Sequence, residues 1–342
     1  MPPARRGLIR ALDCFRVFGT VVQSKTDYLP NAQHVAQIVR RVRNESVLTV
    51  KRFATGSRHF VYDVVTESRQ NFVVRIATPE NKESLLGAMY WCKLLKPKGV
   101  QLPDVLYSDI DAATSPFPYL IIERLAGKDL GIVYPQLSKD EKKTLAGEMA
   151  RIQEIAGTLP PGKGFGFVSS YESSCFQRTW VDVLSNSLDR SRKRIQAIGA
   201  VDARHVDRVA GKIGKYESYF SQVNPKCFLD DITTKNVIVR DGKLSGIVDV
   251  DCVCFGDNLF TIALTRMSLL NTDFDLDYVD YWCDAANLRE GQREVLQFYT
   301  ALFCVDFMSE LGQVFNKEQP PLVKAEDVQR LSGILDALMH QI

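Results

Sequence analysis

Apolar positions along this chain follow two periods, and the chain changes character where one gives way to the other. Val35, Ile38, Val39 and Val42 recur at helical spacing and predict a helix over 34–43. Three β-rich segments follow at 46–53, 60–66 and 71–77, the last holding the apolar run Phe72-Val73-Val74-Arg75-Ile76. Leu85, Leu86, Met89, Tyr90 and Trp91 mark a second helix over 82–95, and further strands are predicted at 104–107 and 119–123. A loop rich in Asp, Thr, Ser and Pro, 109–118, joins those two strands. Helix, three strands, helix, two strands describes a five-stranded antiparallel sheet carrying one helix.

Beyond Glu123 the helical period dominates. Ser138 stands as the N-cap of a long helix over 138–158, with Glu141 three residues on. The segment 160–166 reads as plain loop, helices are predicted over 177–197 and 203–223, and a β-loop-β element occupies 227–251. From Phe260 onward the chain is mainly helical. The pattern predicts an α+β protein of two lobes, a small antiparallel β-sheet lobe and a larger helical lobe, with a cleft where ligands settle. Along the chain this gives a helical extension at 1–44, the sheet lobe at 45–124 and the helical lobe at 125–342.

Length and composition narrow the class. At 342 residues the chain can build two cores, and 45% hydrophobic with 25% charged residues is ordinary for a globular protein. A net charge of +2 supplies no field that would draw nucleic acid or a membrane surface. No apolar run approaches the roughly 20 residues that cross a bilayer. The basic N-terminus is a poor signal peptide, because Arg10, Asp13 and Arg16 interrupt the apolar stretch behind it. Leu8, Leu12, Phe15 and Phe18 instead suggest an extra amphipathic helix over 7–18, packed on a lobe. The eight cysteines show no CxxC and the four histidines no cluster, which argues against zinc and for reduced thiols in a cytoplasmic protein. Cys252 and Cys254 alternate along an apolar segment and are expected to share one sheet face.

Two short stretches concentrate the chemistry. Asp231-Ile232-Thr233-Thr234-Lys235-Asn236 is followed by Gly246-Ile247-Val248-Asp249-Val250-Asp251. Asp231 precedes Asn236 by five residues and Asp249 lies thirteen further on, so one loop turn and a hairpin can bring three oxygen ligands together. That is the layout of a phosphoryl-transfer centre, in which the first aspartate takes a proton from the acceptor hydroxyl. Asn236 and Asp249 would hold the magnesium ions that gather the triphosphate. By default each of these residues is a turn or cap residue; their order together is what points to chemistry. Upstream, the hairpin containing Gly56 and Ser57 can lay backbone N–H groups and a hydroxyl over phosphate oxygens, or is simply a turn. Arg75 interrupts an apolar strand, where it either snorkels outward or clamps phosphates with a bidentate fork. No Walker-type phosphate loop occurs, which sets that class aside.

The order Gly56–Ser57, Val74-Arg75-Ile76, Leu102-Pro103-Asp104-Val105-Leu106, Tyr119 to Arg124 and Ala126-Gly127 resembles the aminoglycoside phosphotransferase family. So does its continuation through Asp231, Asn236, Asp249 and Gly256-Asp257, over roughly 45–265. Gly164-Phe165-Gly166 followed by Thr179-Trp180 is similar to the hygromycin phosphotransferase branch. The resemblance implies a protein-kinase-like fold, ATP or GTP with Mg2+, and transfer to a hydroxyl of a small molecule such as an aminoglycoside-type antibiotic or amino sugar. It implies Asp231 as catalytic base, Asn236 and Asp249 as metal ligands, and Gly56, Ser57 and Arg75 as the phosphate-holding groups. Glu123, Arg124 and Leu125 would form the hinge that hydrogen-bonds the base, and Asp257 would orient the metal-binding loop.

Three departures from the family pattern set further expectations. The family begins its catalytic loop His-Gly-Asp, but this chain reads Leu229-Asp230-Asp231. Leu229 is expected to brace the loop by packing, while Asp230 either sets a second carboxylate beside the base or replaces it if the register slips by one. Gly87 stands where the family carries the glutamate that pairs with the strand cation, and Glu83, one turn earlier, is the candidate substitute. Val250-Asp251 replace a common tryptophan. On the acceptor side, Asp273, Asp277, Asp280 and Asp284 lie among aromatics and suit a cationic acceptor, or form a solvated helix start. Asp306 and Glu310, four apart, would extend that wall. A housekeeping kinase of a sugar, choline-like or amino alcohol and a nucleotide-binding pseudokinase scaffold are the competing readings.

Overall fold

The computed structural model describes residues 29–53, 59–315 and 321–342, so the helix expected over 7–18 lies outside the described residues. The first lobe comprises α1 (Ala32–Arg43), β1 (Val47–Arg52), β2 (Phe60–Thr66), β3 (Asn71–Ile76), α2 (Lys82–Leu95), β4 (Val105–Asp109) and β5 (Tyr119–Glu123). Its strands form one sheet in the order β1-β2-β3-β5-β4, each pair antiparallel. This is the sheet the hydrophobic pattern predicts.

Alternation along the strands gives the sheet two different faces. Phe60, Tyr62 and Val64 point one way and join Phe72, Val74, Ile76, Tyr119 and Ile121 in a buried cluster. Val35, Ile38 and Val39 of α1 cover that cluster, so α1 is a layer of this lobe. Asn31 caps it, accepting from the Gln33 and His34 amides while His34 Nδ1 accepts from the Asn31 amide. Val73, Leu120 and Ile122 lie on the other face with Leu85 of α2. Arg75 shares that face with Val73, because it is two residues on in β3.

The second lobe runs β6 (Lys128–Asp129), α3 (Leu130–Val133), α4 (Lys139–Ala156), β7 (Gly166–Val168), α5 (Trp180–Ile198), α6 (Arg204–Ala210) and α7 (Glu217–Phe220). It continues through β8 (Lys226–Phe228), β9 (Val237–Arg240), β10 (Lys243–Ile247), β11 (Val253–Gly256), α8 (Leu259–Asn271), α9 (Asp277–Ala285), α10 (Glu290–Glu310) and α11 (Ala325–Met339). Ser138 and Glu141 form the expected capping box on α4. The expected helix over 203–223 is instead broken into α6, a 3-10 turn and α7, with Gly211 and Gly214 at the interruption. The segment 160–166 is loop as far as Gly164, packed so closely that a Cβ on Gly162 would meet the Phe255 ring at 2.6 Å, before Phe165 bridges to Gln177 and Gly166 opens β7. Cys254 is buried in β11, whereas Cys252 precedes the strand and is half-buried, so the two do not share a sheet face as expected.

The two lobes share packing. Trp91 of α2 is fully buried in the second lobe's core, and its Nε1 donates to Val168 O at 3.1 Å. The helix beneath the sheet is therefore anchored across the cleft. No helix among the described residues is long and apolar enough to cross a membrane.

Candidate active site

The loop between β8 and β9 carries the candidate base. Leu229 is buried, and Gln153 of α4 holds both of its backbone groups: Nε2 donates to Leu229 O at 2.7 Å and Oε1 accepts from Leu229 N at 3.0 Å. The loop is thus braced by a buried amide as well as by packing. Nothing in the sequence marks a glutamine 76 residues away on an amphipathic helix for this task.

Past Leu229 the chain closes a tight turn. The amides of Asn236 and Val237 both reach Thr233 O, Thr233 Oγ1 donates to Asp231 Oδ1 at 2.9 Å, and Asn236 Nδ2 donates to Asp231 O at 2.9 Å. Val248 N donates to Asn236 O at 2.9 Å, which draws the segment after β10 alongside and delivers Asp249 to Asp231 and Asn236. Asp249 takes φ 65°, a left-handed conformation that costs a non-glycine residue energy and is concentrated at functional sites.

Asp231 is open to the cleft on one side and enclosed by protein on the others. Burial, then the Asp249 charge, pushes its carboxyl above the ordinary value, against Thr233, Lys235 and Asn236. Asp230 turns the other way: the Cys252 thiol approaches its Oδ1 at 3.8 Å, and burial with the Asp230 charge pushes the Cys227 thiol up to about 12. The carboxylate whose charge raises Asp231 is therefore Asp249, while Asp230 faces the Cys227 and Cys252 thiols.

Arg75 meets this group from the sheet. Its buried Nη2 lies 2.7 Å from Asp249 Oδ1, 2.8 Å from Asp251 Oδ2 and 2.6 Å from His59 Nδ1. Burial alone would lower its pKa, but the Asp251 and Asp249 charges outweigh that and keep it protonated. Glu83 is exposed and is not the partner of Arg75, which corrects the expected substitution. His59, Asp249 and Asp251 stand within 4.8 Å of one another, close enough to share a metal ion. Here the guanidinium nitrogen already fills that position.

The residues expected to form the hinge close β5 and follow it. Glu123 N donates to Asp104 O at 2.8 Å, and its carboxylate accepts from Asp104 N at 3.1 Å. Arg124 folds back over the Phe53 ring at 5.6 Å, stands 3.4 Å from Asp63 Oδ1, and donates Nη1 to Leu125 O at 2.8 Å. Gly56 and Ser57 lie outside the described residues. Val105, Leu120, Ile122 and Ile247 border a water-sized cavity of about 30 Å3 beside Arg75 and Asp249. No hydrogen bond or ion pair among the described residues joins Asp257 to the Asp249 segment: it accepts from the Tyr219 and Tyr299 hydroxyls and from Leu259 N, tying α7, α8 and α10 together.

The acidic segment lies elsewhere. Asp273 is in the turn after α8, Asp277 pairs with Lys139 and Asp284 with Arg293, and Arg266 and Arg293 face Asp280. No hydrogen bond or ion pair among the described residues joins these four to the loop that carries Asp231. Of the carboxylates expected on the acceptor side, Glu310 of α10 is coupled to that loop, through the charge of Lys235. Asp306 accepts from Arg190 and Ser191 of α5, both at 2.9 Å. Crowding by protein and the Asp306 charge push the Glu310 carboxyl up to about 7, against Lys235, Arg194 and Arg190, although the residue is exposed to solvent.

Comparison with known proteins decides the family. The model of the phosphotransferase enzyme family matches residues 49–299, from β1 into α10. The chain belongs to that family. This phosphotransferase is a small-molecule kinase, and no curated protein matches it in sequence. Its protein-kinase-like fold recurs in a thermostable mutant of aminoglycoside phosphotransferase APH(4)-Ia in ternary complex with AMP-PNP and hygromycin B. That structure is 16% identical at TM-score 0.63, covering 90% of this chain and 98% of that one. The GDP complex of an aminoglycoside 2'-phosphotransferase-IIIa mutant is similar at 14% identity and TM-score 0.63, covering 90% and 96%. The GDP and kanamycin complex of APH(2")-IIia is similar at 15% identity and TM-score 0.62, covering 91% and 98%. At such equal distances the fold does not select a branch.

Proposed function

We propose that this phosphotransferase moves the γ-phosphoryl group of ATP or GTP to a hydroxyl of an amine-bearing small molecule, an aminoglycoside-type antibiotic or related amino sugar. What carries the reading is the meeting of Asp231, Asn236 and Asp249 beneath the Arg75 guanidinium. Asp231 would orient the acceptor hydroxyl and take its proton, a task helped by a carboxyl raised above its ordinary value. Arg75 would bind phosphate oxygens, Gly56 and Ser57 would cover them, and Glu123 to Leu125 would receive the purine.

The donor set suits magnesium. Asn236 spends its amide nitrogen on Asp231 O, so its amide oxygen is the available ligand, and Asp249 has a second oxygen outside its bond to Arg75. Both are hard oxygen donors. When bound, the ion supplies charge neutralisation at the phosphates. An amine on the acceptor would be met by Glu310 rather than by the α9 aspartates. Arg190 and Arg194 beside Glu310 make that wall mixed in charge, which favours, as a second reading, a metabolite acceptor bearing both signs.

Asp231→Asn tests the assignment. Turnover is expected to fall by about 10³-fold or more, while affinity for a non-hydrolysable nucleotide analogue stays within about twofold. Retained turnover would refute the role of Asp231. Nucleotide binding by the wild type, with no turnover over aminoglycosides, sugars and amino alcohols, would favour the scaffold reading.

A further inference from the structure

Arg75 has two carboxylate partners, and they are not equivalent. The Asp249 side chain is 47% exposed and that of Asp251 is 9% exposed. Both Asp251 oxygens stand within 2.8 Å of the Arg75 Nη2. His59 adds a third acceptor. Ser84 Oγ donates to Asn81 O at 2.6 Å, so it must accept from His59 Nε2 at 2.5 Å, which leaves His59 Nδ1 to accept from Arg75. The two hydrogens of one nitrogen thus face Asp249, Asp251 and His59. One acceptor is surplus, and only Asp249 has an open side on which to find another cation.

Gly87 makes this arrangement possible. A Cβ at that position would lie 2.0 Å from Asp251 O and 3.0 Å from Ser169 Cβ. Helix α2, anchored by Trp91, therefore presses its backbone onto the Asp251 segment, and no side chain can project there toward Arg75. Cation and partner are still joined, but from the opposite direction.

Building on the proposed phosphoryl transfer, we infer that Asp251 is the resident partner of Arg75, taking the place of a carboxylate on α2 and leaving Asp249 free for a metal ion. Asp251 is then a positioning residue, acting on the nucleotide only through Arg75. His59 and Gly87 complete a matched set: one orients the guanidinium, the other admits the segment that carries its partner. The cation that meets the phosphates is in this way tied to the metal-ligand segment rather than to the helix.

The test is a double-mutant cycle on the full chain with Asp251→Asn, Arg75→Met and the pair, read in two ways. By calorimetry with a non-hydrolysable ATP analogue and Mg2+, Asp251→Asn is expected to weaken binding about tenfold. It should weaken it no further once Arg75 is gone. By urea unfolding, Arg75→Met strands the buried Asp251 charge, so the double variant is expected to have the higher midpoint of the two. Independent, additive effects in either readout would overturn the inference, as would wild-type affinity in Asp251→Asn. Should Asp251→Asn fold poorly, Gly87→Ala asks the same question, because its methyl group displaces the Asp251 backbone. It is expected to weaken analogue binding in the wild-type background and not in Arg75→Met. A wild type that binds no nucleotide would end the proposed function, while the urea cycle would still decide the pairing.

Discussion

Replacing Gln153 by methionine keeps the side chain's length and approximate volume but removes both atoms that hold Leu229. Gln153 is 5% exposed and Leu229 1%, so water cannot take over either bond. A stranded buried polar group costs about 1–3 kcal/mol, which puts the two backbone groups together at about 2–6 kcal/mol. Extra apolar burial by the methionine offsets about 1 kcal/mol of that. A net loss of about 1–5 kcal/mol is a sizeable share of the roughly 5–15 kcal/mol that keeps a domain folded. Urea unfolding of the full chain measures it directly. Since Leu229 lies two residues before Asp231, the looser loop should lower kcat while nucleotide-analogue affinity holds. A loss below about 0.5 kcal/mol would refute the bracing argument, and so would an equal fall in kcat and analogue affinity.

Two further outcomes concern charge. Burial pushes the Asp275 carboxyl up, but Lys142 at 2.7 Å and the Tyr134 hydroxyl outweigh it and hold the carboxyl below its usual value. A lowered folded pKa gives stability that is full above the unfolded value of about 3.9 and fades as pH falls through the folded one. Asp275→Asn should therefore cost about 1 kcal/mol at neutral pH, a difference that shrinks as acid carries the carboxyl through its lowered folded value, by urea unfolding along that range; a constant difference would contradict the pairing. Glu310, pushed up to about 7, is protonated below that pH and charged above it. For a cationic acceptor, KM should fall about tenfold as pH rises through 7. Glu310→Gln should flatten that profile at the high-KM end, and a profile unchanged in the variant would exclude Glu310 from acceptor binding.

Much of the fold and the core of the candidate site could be read from local pattern. Strand alternation announced the five-stranded sheet, Ser138 and Glu141 announced the start of α4, and the spacing of Asp231, Asn236 and Asp249 announced a convergence that one turn and one hairpin can achieve. These are short-range relations, and spacing carries them. The unbroken helix over 203–223 failed because Gly211 and Gly214 interrupt an otherwise helical period. The acidic stretch around α9 makes its ion pairs away from the Asp231 loop, and composition says nothing about which wall of a lobe a helix will join.

The supports of the site belong to tertiary structure alone. Gln153 reaches Leu229 across 76 positions, and Arg75 reaches Asp251 across 176. Glu83 looked like the partner by helical arithmetic, yet the close approach of α2 to Asp251 at Gly87 moved that task to another segment. The sequence by itself determined which groups could do the chemistry, because order and spacing along a turn or strand are local. Only the packing of α2 and α4 against the loops decided what holds those groups in place, because a partner met through space leaves no periodic trace in the chain.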